Sequence, residues 1–173
     1  SDILDICGFI RYELDKLKDS RPIHILGVGA LQNIVPLSLL GVDSFDCHSP
    51  WRRASEGKFV IPLIDSNCKV ITTNKKYWSY IPIGEFNSKD YVCNCPVCSK
   101  YSLSDLKELY KRGNEHTIFA KILFFKHNIS QQEFLCKLVR EKNIHEFIKK
   151  IPESSYKENL VEFTRELKQT TLN

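Results

Sequence analysis

The sequence predicts an α/β chain that becomes helical in its second half, with a small metal-binding segment between the two parts. Three observations carry this. Ile23-His24-Ile25-Leu26 and Val42-Asp43-Ser44-Phe45-Asp46 read as short strands on either side of a helical stretch. That is the pattern of a βαβ unit, whose strands lie parallel and whose connection is right-handed. Cys93-Asn94-Cys95-Pro96-Val97-Cys98 gathers three thiols into one loop. Beyond residue 102, apolar side chains recur at three- and four-residue steps, the period of helices with one buried face.

Taken in order, Ile3, Ile6, Ile10, Leu14 and Leu17 predict an amphipathic first helix, which Asp19-Ser20-Arg21-Pro22 breaks. The first strand runs into Gly27-Val28-Gly29. A helix over residues 31–40 contains Pro36, which stands near its first turns or kinks it, and Gly41 ends it before the second strand. Residues 59–64 and 69–72, separated by Asp65-Ser66-Asn67, predict a hairpin. A loop with Trp78, Tyr80 and Tyr91 leads to the cysteines. Ser102 or Ser104 caps a helix that reaches Arg112 and stops at Gly113. Residues 115–126 are helical, with Ile118, Phe119, Ile122 and Leu123 on one face. Ser130-Gln131-Gln132-Glu133 has the form of a capping box opening another helix, which buries Phe134, Leu138, Ile144 and Phe147. Pro152 breaks the chain, and Ser155-Tyr156-Lys157-Glu158 opens a last helix bearing Leu160, Phe163 and Leu167.

Length and composition set the bounds. The 173 residues suffice for one main core. Charged residues make up 27% and hydrophobic ones 42%, ordinary for a soluble globular protein. No apolar run approaches the ~18 residues of a membrane span, and the acidic, amphipathic N-terminus is unlike a secretory leader. Seven cysteines, three of them clustered, point to a reducing, cytoplasmic compartment rather than a disulfide scaffold. The net charge of +4 permits a polyanionic partner. The lack of any Met leads us to expect a portion of a longer chain.

Cys93, Cys95 and Cys98 with one imidazole make a Cys₃His set, of the kind that holds structural Zn²⁺ in a closed tetrahedron. Two histidines could complete it. His116 follows Cys98 by 18 residues and His127 by 29, and spacing alone does not separate them. His127 ends a helix that can pack back onto the cysteine loop. Four protein ligands leave no open position for water, so a catalytic role for the metal is not expected.

The motifs together resemble one family. His24-Ile25-Leu26-Gly27-Val28-Gly29, Gly41-Val42-Asp43-Ser44-Phe45-Asp46-Cys47, Pro50-Trp51-Arg52-Arg53, the cysteine cluster and Lys126-His127-Asn128 occur in the order found in the C-terminal part of tRNA-guanine transglycosylases. The resemblance covers residues 23–132. It implies the end of a (β/α)₈ TIM barrel: residues 1–55 as its last βα units, 56–128 as an inserted zinc-binding subdomain and 129–173 as C-terminal helices. It implies a pentosyltransferase that replaces guanine by a 7-deazaguanine base in tRNA or, as in bacterial and phage relatives, in DNA.

The resemblance also assigns roles. Asp46 matches the family's nucleophile, at the C-terminal end of a parallel strand where barrel enzymes keep their catalytic groups. A carboxylate there can attack an anomeric carbon, as in retaining glycosidases, although a lone loop aspartate is otherwise a common turn former. Leu26, Gly27 and Gly29 lie on the turn that lines the family's base pocket. Arg52 stands where the family binds nucleic acid, with Arg53 beside it, and the family's His-Asn pair favours His127 as the fourth ligand. His48 is not catalytic in the family.

The family's second essential aspartate and its base-recognition residues belong to earlier strands, and two strands cannot close a barrel. The isolated chain is therefore expected to lack exchange activity. A non-catalytic zinc-binding subunit that scaffolds a transglycosylase dimer is the alternative, and Asp46 in its motif favours the enzyme. The family dimerises through its zinc region. Phe119, Phe124, Phe125, Phe134 and Phe147 are expected to leave apolar surface there for a homodimer or heterodimer partner, or to pack against the rest of the barrel.

Overall fold

The computed structural model describes residues 2–71, 76–87, 92–141 and 144–170. Thr72, at the end of the predicted hairpin, and Tyr91 lie outside them. In chain order the elements are α1 (Asp2–Lys16), β1 (His24–Ile25), α2 (Leu31–Leu39), β2 (Ser44–Phe45), α3 (Ser49–Ser55) and β3 (Lys58–Val60). Then follow β4 (Tyr80–Pro82), a 3₁₀ turn (Ile83–Glu85), α4 (Leu103–Lys111), α5 (Asn114–Arg140), α6 (Ile144–Lys150) and α7 (Ser155–Thr170). They form two compact units, Ser1–Cys47 with Ile144–Asn173, and His48–Asn143. No helix among the described residues is long and apolar enough to cross a membrane.

The first unit holds the predicted βαβ unit. β1 and β2 pair in parallel, with His24 opposite Ser44 and Ile25 opposite Phe45. The Asp43 carboxylate accepts from the Ile23 amide at 2.8 Å and extends the pairing at its N-terminal end. Pro36 lies inside α2, which continues past it to Leu39. Cys7, Ile23, Leu37, Leu40 and Val42 are buried together, with Leu4, Leu14, Phe45, Phe163 and Leu167 packed around them. The first helix was expected to bury Ile6 and Ile10, yet both are exposed. α1 carries two apolar stripes about 120° apart, and the one through Leu4, Cys7 and Leu14 meets this core. At α7 the cap is Ser154, whose hydroxyl accepts from the Lys157 amide at 3.3 Å.

The second unit is built on α5. β3 and β4 are antiparallel, with Phe59 opposite Ile81 and Val60 opposite Tyr80. The predicted hairpin survives only in part, as a single Ile64–Val70 bridge around a turn in which the Asp65 carboxylate accepts from the Asn67 and Lys69 amides. Pairing continues instead with the distant segment, where the Ile61 amide donates to Ser79 O at 2.9 Å. Ser102 is the cap of α4 and forms a reciprocal box with Asp105. The predicted break near Ser130 is absent, because α5 runs unbroken for 27 residues. Ser130 Oγ donates to Lys126 O, four residues back at 2.8 Å, the bond a serine makes inside a helix rather than at its start.

Phe59, Val97, Leu106, Ala120, Leu123 and Phe124 form the core of this unit, and Phe59 meets Phe124 edge-to-face at 5.6 Å. Phe124 is thus buried, as is Phe147 in the other unit, while Phe125 and Phe134 are half-buried. The apolar surface left on α5 is Ile118, Phe119 and Ile122. Gly57, at φ +73°, joins α3 to β3, and an added Cβ would fall on the ring and hydroxyl of Tyr110. Gly57→Ala is expected to lower stability by about 2 kcal/mol, read as a lower urea midpoint with an unchanged slope.

Candidate functional site

Two sites are described, one in each unit. The Cys93–Cys98 loop turns back on itself so that the Cys95 amide donates to Cys93 Sγ and the Cys98 amide to Cys95 Sγ, both at 3.5 Å. α5 brings His127 into this loop. Its Nδ1 lies 3.9, 3.3 and 3.5 Å from the sulfurs of Cys93, Cys95 and Cys98. All four donor atoms lie within 4.8 Å of one another, and Cys95 and His127 are fully buried. A tetrahedral ion at the usual Zn–S and Zn–N lengths sets its sulfur and nitrogen ligands about 3.5 Å apart. The donor set and its spacing therefore fit such an ion. His116 is far from the centre, in the first turn of α5 beside Glu115, about 16 Å along the helix from His127.

The surroundings of His127 prepare it as a ligand. Nε2–H donates to the Val60 carbonyl at 2.8 Å, which leaves the Nδ1 lone pair directed at the thiols. The ring stacks on Phe59 with centroids 3.6 Å apart and planes at 6°. Burial favours the neutral imidazole; without an ion, hydrogen bonds and charge from Cys93 and Cys95 push its pKa up to about 9, and an ion bound at Nδ1 would displace that proton. The thiols behave as one set. Cys95 is held far below the ordinary thiol range by hydrogen bonds from Cys93 and Cys98, while Cys98 is pushed far above it by the same neighbours and by burial. Three thiolates cannot share so small a space without a cation, and a divalent ion removes that repulsion.

Sequence reasoning found these four residues but missed what holds them. Asn128 and Gln131, both fully buried, continue the polar stripe of α5. Asn128 Oδ1 accepts from the Val60 amide at 2.9 Å, and its Nδ2 donates to Lys58 O and Pro50 O. Gln131 accepts from the Leu63 amide and donates to Ile64 O at 3.0 Å. One helix face thus satisfies the main chain beside β3 and fixes the height of His127. Asn128→Ala takes the side-chain partner from the Val60 amide and removes a bond from each of two carbonyls, and is expected to cost about 2–4 kcal/mol in denaturant unfolding.

In the other unit, the C-terminal ends of β1 and β2 bring together Asp46, Leu26 and Gly27. The Gly27 amide donates to Asp46 Oδ1 at 2.5 Å, and the Asp46 amide donates to Ile25 O at 3.3 Å. Gly27 has φ +73°, which turns its N–H across to the neighbouring strand end. Leu26 is 74% exposed and Asp46 is exposed, while Gly29 is buried. A carboxylate held by one backbone donor and open on its other side can act as a nucleophile.

Arg52 and Arg53 belong to α3, in the second unit. Arg52 is exposed and makes no ion pair among the described residues. Arg53 pairs with Glu56 at 3.2 Å and lies 5.9 Å over the Tyr80 ring. His48 is the N-cap residue of α3 without a capping side-chain bond.

Comparison with known proteins identifies the family. The family described as queuine tRNA-ribosyltransferase matches residues 2–165. The queuine tRNA-ribosyltransferase of Oceanobacillus iheyensis is 32% identical over 72% of the chain and 29% of its own length. That of Caldanaerobacter subterraneus subsp. tengcongensis is 30% identical over 91% and 36%. That of Dictyoglomus turgidum is 28% identical over 94% and 38%. The chain spans about a third of the length of the curated relatives it matches. With residues 2–165 under one family description, the chain belongs to the queuine tRNA-ribosyltransferase family.

Proposed function

We propose that this chain is the nucleophile-bearing C-terminal part of a base-exchanging pentosyltransferase that replaces guanine by a 7-deazaguanine in tRNA. The observation that carries the reading is the Asp46 carboxylate, held by the Gly27 amide at the C-terminal end of a parallel strand pair. Asp46 attacks the anomeric carbon of the target nucleotide, the bond from C1′ to guanine breaks, and a covalent Asp-ribosyl intermediate forms. The 7-deazaguanine then takes the place of Asp46 on C1′, its N9 proton passing to the group that protonated guanine. The turn of Leu26, Gly27 and Gly29 lets a planar base approach the backbone, and a second acid from another strand protonates the leaving guanine.

Several features support the surrounding assignments. β1 and β2 are read as the last strands of a TIM barrel, and the exposed stripe of Ile6, Phe9 and Ile10 on α1 suits packing against further barrel elements. Cys93, Cys95, Cys98 and His127 would hold a structural Zn²⁺, which when bound ties the cysteine loop to α5. The second unit carries 16 Lys and Arg against 9 Asp and Glu, the bias a phosphate backbone favours. Exposed Arg52 is the readier phosphate contact, with Arg53 braced beside it. Ile118, Phe119 and Ile122 mark the face where a second subunit would sit.

Incubating the full-length protein with labelled guanine and either tRNA or duplex DNA tests the reading. Label is expected to enter tRNA. Entry into DNA alone would overturn the tRNA assignment, and entry into neither would overturn base exchange.

A further inference from the structure

We infer that Trp51 is a stacking platform for an unpaired nucleic-acid base. It deepens the nucleic-acid part of the reading above and does not depend on the chemistry at Asp46. The chain has two tryptophans, and they differ sharply. Trp78 is 2% exposed, while Trp51 in α3 is 54% exposed. Trp51 is nevertheless braced, because its ring meets Phe125 of α5 at 5.7 Å and 85°. Asn128 Nδ2 donates to Pro50 O, the residue before Trp51, so the indole is fixed relative to α5 at a second point.

A cation stands next in sequence on each of the two packed elements. Arg52 follows Trp51 on α3 and Lys126 follows Phe125 on α5. Both are exposed, and neither makes an ion pair among the described residues. Glu56, the acidic residue at the end of α3, is already engaged by Arg53 and Lys58. A braced, exposed aromatic ring with exposed cations close by in the chain matches what single-stranded nucleic acid presents, a base with a π-face and neighbouring phosphates.

The test uses the full-length protein and a short RNA stem-loop, its DNA counterpart and a fully paired duplex. Acrylamide is expected to quench the emission that Trp51→Phe removes, and binding of a stem-loop is expected to quench it as well. Trp51→Ala should weaken stem-loop binding roughly tenfold with the salt slope unchanged. Trp51→Phe should retain most of the affinity. Arg52→Ala should lower the salt slope by about one. The RNA and DNA arms identify which strand is preferred. If Trp51 is shielded from acrylamide, if the stem-loop leaves its emission unchanged, or if Trp51→Ala binds like wild type, the stacking inference is overturned while nucleic-acid binding stands. Equal loss on the paired duplex would also overturn it. Absence of binding to any of the three would overturn both.

Discussion

Cys95→Ser is expected to unfold the His48–Asn143 unit and abolish metal retention. A serine hydroxyl does not ionise near neutral pH and cannot replace the thiolate at the centre of the set. Structural zinc in a small site is worth on the order of 10 kcal/mol of folding free energy, comparable to the whole stability of a typical domain. The loss should spread beyond the cysteine loop. His127 ties the centre to the Val60 carbonyl and stacks on Phe59, which is itself in the core with Phe124. Without the ion, that core surrounds crowded thiols and an imidazole whose charges are unbalanced. The other unit has its own core around Cys7, Leu37 and Val42. Thermal melting followed by circular dichroism should therefore show an early transition in the variant, or in wild type treated with a chelator. His116→Ala should melt and retain zinc like wild type, since His116 stands in the first turn of α5.

The sequence made part of this legible for physical reasons. The strands around α2 are bounded by glycine and proline, and local signals of that kind survive folding. The cysteines cluster within a few positions, so their convergence needed no knowledge of the fold. Placing His127 did need a helix, and there the reading was half right. Its topology was inferred, but His127 was taken as the end of one helix and Ser130-Gln131 as the start of the next. His127, Asn128 and Gln131 instead lie buried within one helix and bond main-chain groups beside β3 that are 67 or 68 positions away. No local pattern carries that information.

The same limit hid the pairing of β3 with β4, since a local hairpin was the nearest partner available to residues 59–64. α3 was missed because seven residues hold too little periodicity, and Pro50 in its first turn reads equally well as a loop. On α1 the helix was legible and its buried face was not, because either of two apolar stripes could have met a core. For Asp46, the residues indicated the end of a strand, and only the fold brought the Gly27 amide to its carboxylate.

Asp46→Asn is expected to reduce base exchange by a factor on the order of 10⁴ or more, the scale on which removing a nucleophile acts. The substitution is nearly isosteric, and the asparagine Oδ1 still accepts from the Gly27 amide. The strand ends should therefore keep their shape while the attacking charge is lost. Binding of tRNA should change little, because the cations assigned to phosphate lie on α3. Asp43→Asn is a useful companion. Asp43 sits three residues earlier and accepts from the Ile23 amide, so its loss should affect stability more than turnover.

Trapping the covalent intermediate tests the assignment most directly. Full-length protein is mixed with tRNA without an incoming base, denatured, digested and mapped by mass spectrometry. A ribosyl adduct on the peptide containing Asp46, absent from Asp46→Asn, is the expected result. An adduct on a different carboxylate, or one that persists in Asp46→Asn, would contradict Asp46 as the nucleophile.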